Sequence, residues 1–316
     1  MTNPVNTQDT IGETSSYTIR PMSRTDLNVA IAWAATEGWN PGLHDAASFY
    51  NTDPGGFLMG WLKDTPIASI SAVRYGEGFG FIGFYIVRSE YRGQGYGFRL
   101  WQAGMDHLQG RIVGLDGVVE QQANYQKSGF QLAHRNIRYE GIEPIHQEIE
   151  TFDQLSLASA NVLELNTLDQ SVLNYDQAFF PDKRTEFLRQ WLTQPESYSV
   201  GLMQQGNLVG YGVVRPCQTG YKVGPLFANS SEDAELLFLK LRQHIHQRER
   251  QQRFHDQGAV LTYRVYLDVP EPNRAAVALA QRYQMTPIFE TARMYTAPAP
   301  ELPVEQIFGI TTFELG

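Results

Sequence analysis

The order of elements in the first half of this chain returns in its second half, and that repetition narrows the folds open to it. Strand-like runs at 17–22, 66–75 and 79–87 alternate with helical patterns at 24–37 and 95–109. A strand over 110–117, a short helix ending at Gly129 and a strand over 131–141 close the unit. Further on, 208–216 echoes 67–75, 220–245 echoes 80–105, and 265–295 echoes 112–139. Strands alternating with helices give an α/β class with a mixed sheet. At 316 residues the chain exceeds what one core comfortably holds. The reading is an internal duplication: units 17–145 and 146–316, with 140–150 as the linker. Residues 1–16 are polar, lack an apolar stretch typical of secretory signals, and read as a disordered leader.

Charge and cysteine usage exclude several functions. A net charge of −9 and no basic stripe argue against a nucleic-acid partner. The most basic run, 240–253, has its charges spread around a helix and reads as a solvated face. No apolar run reaches the roughly 18–20 residues of a membrane span. One cysteine, Cys217, precludes an intrachain disulfide and suits a reducing, cytoplasmic setting; it reads as an inert thiol.

Residues 90–101, EYRGQGYGFRLW, follow the apolar strand 79–87 and lead into a helix. Three explanations compete. A dinucleotide fingerprint needs a small third position, where this chain has Phe98, and a P-loop fails at Gly97-Phe98-Arg99. A plain turn would carry an unneeded cost, on the order of 1 kcal/mol for each glycine where a helix begins. An anion site fits better. Successive backbone N–H groups at a helix start attract negative charge, missing Cβ atoms let an anion approach, and Arg92 and Arg99 add positive charge.

Arg92-Gly93-Gln94-Gly95-Tyr96-Gly97 matches R/Q-x-x-G-x-G/A, and ANYQKSGF (123–130) follows the next strand. Over residues 17–140 the chain resembles the GCN5-related N-acetyltransferase (GNAT) superfamily. EGWNPG, GLDGV, QQANYQKSGF, DVPEPN and the TARMY and TTFELG endings resemble its tandem type, two GNAT-like domains of which the C-terminal one is diverged. The resemblance implies acetyl-CoA as co-substrate, no metal, and direct transfer to an amine in a ternary complex. It implies that Arg92, Gly93, Gln94, Gly95, Tyr96 and Gly97 hold the diphosphate and that splayed strand backbone at Ile86 and Val87 meets the pantetheine arm. An N–H near Val87 would face the oxyanion, and Tyr125 would protonate the leaving thiolate. By itself Tyr125 reads equally as a packed helical tyrosine. Val118 stands where the family often has an asparagine.

The usual strand-borne base is missing, because 79–87 has no Glu, Asp or His. Glu37 and Asp116 are the candidate bases. Glu37, Trp39, Asn40, His44, Asp45 and Gln121 are candidates for the acceptor wall, where a carboxylate beside an indole could hold an alkylammonium. The same loop also reads as a turn with a helix cap. In the second half FANSSEDAELL replaces the glycines, and Glu232, Asp233 and Glu235 would repel a diphosphate. Asp176, Arg184, Asn273 and Arg293 could line the acceptor cleft or serve the fold. The expected function is acetyl transfer to a primary amine of a small molecule. A non-catalytic acyl-CoA sensor and a protein N-acetyltransferase are the alternatives. A duplicated chain can supply both halves of a dimer, so monomer and homodimer both stay open.

Overall fold

A computed structural model describes residues 17–145, 161–252 and 261–316. The expected leader and residues 146–150 of the expected linker lie outside them. The first half runs β1 (Tyr17–Pro21), α1 (Arg24–Thr36), α2 (Asp45–Thr52), β2 (Phe57–Leu62), β3 (Thr65–Tyr75), β4 (Phe79–Val87), α3 (Tyr96–His107), β5 (Ile112–Val118), α4 (Gln122–Lys127) and β6 (Gln131–Pro144). The second half runs β7 (Val162–Glu164), α5 (Gln170–Asp176), α6 (Thr185–Trp191), β8 (Tyr198–Gln204), β9 (Asn207–Pro216), β10 (Tyr221–Ala228), α7 (Ser231–Gln252), β11 (Thr262–Pro270), α8 (Arg274–Arg282), β12 (Thr286–Tyr295) and β13 (Ile307–Gly309). No described helix is long and apolar enough to cross a membrane.

One mixed sheet crosses both halves in the order β1-β2-β3-β4-β5-β12-β6-β11-β10-β9-β8-β7. β6 of the first half and its counterpart β12 of the second have changed places. β12 pairs antiparallel with β5, and β6 lies between β12 and β11. The strand at 131–141 therefore forms as the sequence suggests, but it closes the other half's sheet, not its own. It also runs longer: Glu140–Pro144, read as linker, pair with Tyr266–Thr262 of β11.

The cores follow the exchange. Ala292 and Met294 of β12 are buried among Trp101, Leu115 and Tyr125 of the first half. Tyr139 and Ile145 are buried among Val265 and Leu267 of the second. A further cluster joins the halves, with Phe49 stacked on Trp191 at 5.9 Å between ring centroids. Three buried ion pairs tie one half to the other: Asp116–Arg293 (2.6 Å), Arg138–Asp268 (2.7 Å) and Asp45–Arg215 (2.9 Å). Such pairs specify an arrangement more than they stabilise it, but leaving one member unpaired costs several kcal/mol. The basic stretch of α7 is less solvated than its charges suggest, because Arg242, His246 and Glu249 are buried.

Candidate active site

The site begins where β4 leaves β5. The two are parallel partners only from Phe79 opposite Ile112 to Ile82 opposite Leu115. Beyond that, β4 is turned by a bulge. Its register with β3 slips between Ser69 and Ser71, and Phe84 takes φ +45°, a conformation costly for a bulky residue. The Ser69 hydroxyl donates to the Phe84 carbonyl at 2.9 Å, and the Phe84 ring is buried near Phe49, so packing and a hydrogen bond hold the bend. The strands then diverge, and a cavity of about 590 Å³ opens along the gap.

The glycine corner stands at one end of this cavity. Gly93 and Gly95 have φ +76° and +83°, and no atom lies within 4 Å of a Cβ built on either. Gly95 is the N-cap of α3, whose first turn carries no acid. Unpaired N–H groups, a favourable helix dipole and open space therefore coincide, as an anionic group requires. Gly93, Gly95 and Gly97 all line the cavity, with Ile86 and Val87 on the strand side. Arg92 braces the mouth: its Nε donates to the Val87 carbonyl (2.7 Å) and its Nη2 to Glu37 (2.5 Å). The side chains of Gln94 and Tyr96 are absent from the walls. Gln94 donates to the Glu90 carbonyl, and the Tyr96 ring packs on Tyr17.

Tyr125 reaches the wall from α4. Its ring lies 5.6 Å from Trp101, and only a glycine at 117 leaves room for it, since a Cβ there would sit 2.2 Å from the ring. Burial, then the nearby Tyr85, push its phenol well above the usual tyrosine value. The hydroxyl therefore keeps its proton at neutral pH, as a weaker acid than an exposed tyrosine.

Two models of known families match this chain: the acetyltransferase (GNAT) family over residues 25–130 and the acetyltransferase (GNAT) domain over 172–309, together most of its length. The chain belongs to the GNAT superfamily. A curated relative, the holothin acyltransferase of Pseudoalteromonas sp. (strain SANK 73390), is 28% identical over 305 residues, 96% of each chain. A putative acetyltransferase from Pyrococcus horikoshii superposes with a TM-score of 0.74 at 21% identity, covering 98% of this chain and 99% of that one. A tandem GNAT protein from the clavulanic acid biosynthesis pathway gives 0.60 at 13% identity, covering 90% and 100%. This GNAT protein is an acyltransferase with two GNAT domains in tandem, and its fold implies an acyl-CoA co-substrate.

The second GNAT domain has the matching gap, but the chain fills it. β10 and β11 pair only at Tyr221–Val223 with Val265–Leu267. Beyond, β13 pairs with β10 at Leu226 and Phe227, and the Ile310 N–H donates to the Asp268 carbonyl of β11 at 2.9 Å. At the head of α7, Glu235 accepts from Tyr283 at 2.7 Å and from Arg282 at 2.5 Å, and Ala280 stands where the first domain has Tyr125, each accepting the N–H that closes its helix's C-terminus. Backbone occupies the gap and carboxylates occupy the corner.

The acceptor end departs from the sequence reading. Glu37, Trp39 and Gln121 do line the cavity. Asn40, His44 and Asp45 do not; they hold the second domain. Asn40 exchanges hydrogen bonds with the backbone of Thr219, His44 pairs with Glu196, and Asp45 is fully buried against Arg215. Asp116 reaches the cavity wall with its carboxylate already engaged by both Arg293 and Asn136. As a base it would have to leave a bidentate pair, so its arrangement is that of a fold-holding residue.

Asp176, Arg184, Asn273 and Arg293 are likewise absent from this cavity. Asp176 and Arg184 form a buried pair, and Asn273 caps α8. The walls that sequence reasoning missed are Phe289, Thr291, Phe313 and Glu314, all from the second domain. Only the TTFELG ending hinted at the last two, and only as a family feature.

Proposed function

We propose that this enzyme transfers an acetyl group from acetyl-CoA to a primary amine of a small molecule. The supporting observation is the gap itself: one cavity runs from the glycine corner, past the Tyr125 wall, to an aromatic end closed by the second domain. Backbone N–H groups of 93–97 would take the diphosphate, and the strand edge at Ile86 and Val87 would align the pantetheine arm. The amine nitrogen attacks the thioester carbonyl carbon, the C–S bond breaks, and Tyr125 donates its proton to the departing sulfur. Trp39 lines that end as an aromatic wall for the acceptor, and the Phe313 and Phe289 rings beside it already carry the Arg138 guanidinium at 4.7 and 5.8 Å. Walls from the second domain close the acceptor end, which favours a small molecule over a protein chain. The buried Cys217 and a CoA-linked reaction fit a cytoplasmic enzyme, and the exchanged strands supply within one chain what a GNAT dimer would, so we expect a monomer.

The test is CoA release from acetyl-CoA with a panel of amines: 2-phenylethylamine, benzylamine, 1,4-diaminobutane, glucosamine and holothin, the last taken from the name of the curated relative. Turnover with one or more supports the reading. Tight CoA binding with no turnover on any of them would favour the sensor.

A further inference from the structure

The strand that usually carries the base has none here, and the two carboxylates near the gap, Glu37 and Asp116, are held by Arg92 and by Arg293 with Asn136. A third carboxylate lines the same cavity. Glu314 comes from the end of the second domain, after β13, and only 2% of its surface is exposed. Its Oε2 accepts from the Thr312 hydroxyl, whereas Oε1 is buried with no hydrogen-bond partner among the described residues. A buried carboxylate oxygen without a donor is costly, and in a residue that lines a cavity a ligand can supply the missing donor.

The neighbouring cations do not answer that need. None hydrogen-bonds to Oε1: Arg138 and Arg215 pair with Asp268 and Asp45, the Arg215 Nη1 being buried without a partner among the described residues, and Lys222 donates to the Asn40 carbonyl. The tail is also firmly placed. Its backbone passes so close to β4 that a Cβ on Gly83 would lie 2.0 Å from the Glu314 carbonyl. Tyr75 donates to the Leu315 carbonyl (3.0 Å) and Arg184 to the Thr311 hydroxyl (3.0 Å). Gly83 sits one residue before the bulge, so this carboxylate stands beside the stretch of β4 that lacks one of its own.

We propose that Glu314 is the general base of this enzyme, a catalytic residue delivered to the first domain's cavity by the tail of the second. Resting on the function proposed above, the step is a proton transfer: Oε1 accepts a proton from the acceptor's ammonium group, and the freed lone pair forms the N–C bond. The C–S bond breaks with the Tyr125 proton going to sulfur, the second proton of the attacking nitrogen returns to the Tyr125 phenolate, and Glu314 releases its proton to solvent.

The experiment compares wild type with Glu314→Gln and Glu314→Ala, using acetyl-CoA and the best acceptor of the five-amine panel. Glu314→Gln should lower kcat/KM about 100-fold or more, the scale of general base catalysis, and abolish the acidic limb of the pH profile. CoA affinity and melting temperature should stay at wild-type values. Formate should restore part of the rate to Glu314→Ala, a rescue that a packing role would not give. Wild-type kcat/KM in Glu314→Gln, or a rate loss matched by lost CoA affinity or stability, would overturn the assignment alone. A wild-type enzyme inert toward all five amines would bring down the proposed function, and this proposal with it.

Discussion

Replacing Gly95 by alanine separates the two things a glycine does in this corner. Gly95 has φ +83°, and a Cβ there meets nothing within 4 Å; Gly110, at the far end of α3, has the same φ and the same open surroundings but lies outside the cavity wall. Each substitution forces a Cβ into the left-handed region at a cost of about 1–2 kcal/mol. Gly95→Ala and Gly110→Ala should therefore lower the melting temperature of the free enzyme by similar amounts. Only the methyl at 95 enters space left for an anion on the N–H groups of the helix start. Spoiling one charged hydrogen bond there costs about 1.5–3 kcal/mol, an affinity loss of about 10- to 150-fold. Calorimetric titration with CoA reads the affinity and a melt without ligand reads the strain. CoA affinity of Gly95→Ala within twofold of wild type, or an equal loss in Gly110→Ala, would refute the corner as the diphosphate site.

Three further outcomes are expected. Tyr125→Phe should reduce kcat about 100-fold while CoA affinity holds; because burial raises the phenol above its usual value, Tyr125 stays protonated and no alkaline fall in wild-type rate below pH 10 should come from it. Asp116→Asn leaves Arg293 buried without its counter-charge, so urea denaturation should show a loss of about 3–5 kcal/mol, and a loss below about 1 kcal/mol would contradict the account of the exchanged strands. His134 is depressed from 6.5 to about 4, by burial and then by Arg293. The unfolded chain takes up that proton first, so melting temperature should fall as pH drops from about 6.5 to 4, and His134→Gln should flatten that slope.

The sequence was most informative where function depends on local backbone. Glycines at 93 and 95 after an apolar strand specify a corner that is open and left-handed, because those properties belong to the residues themselves. The same holds for Tyr125, whose place near the end of a short helix follows from Gly129. Charged residues between helix and strand were misleading. Asn40, His44 and Asp45 look like an acceptor wall, but their partners Thr219, Glu196 and Arg215 lie more than 150 residues away.

By itself, then, the sequence determined a duplicated α/β chain, an open glycine corner in its first half and the loss of those glycines in its second. Only the tertiary structure decided that β6 and β12 change places, that β13 fills the second gap, and that Glu314 closes the first. The reason is physical. A glycine's φ and a helix's N-terminus are local properties, whereas strand partners in a sheet are chosen by edge pairing and burial between segments far apart in the chain, and two halves with the same element order offer each other equivalent edges.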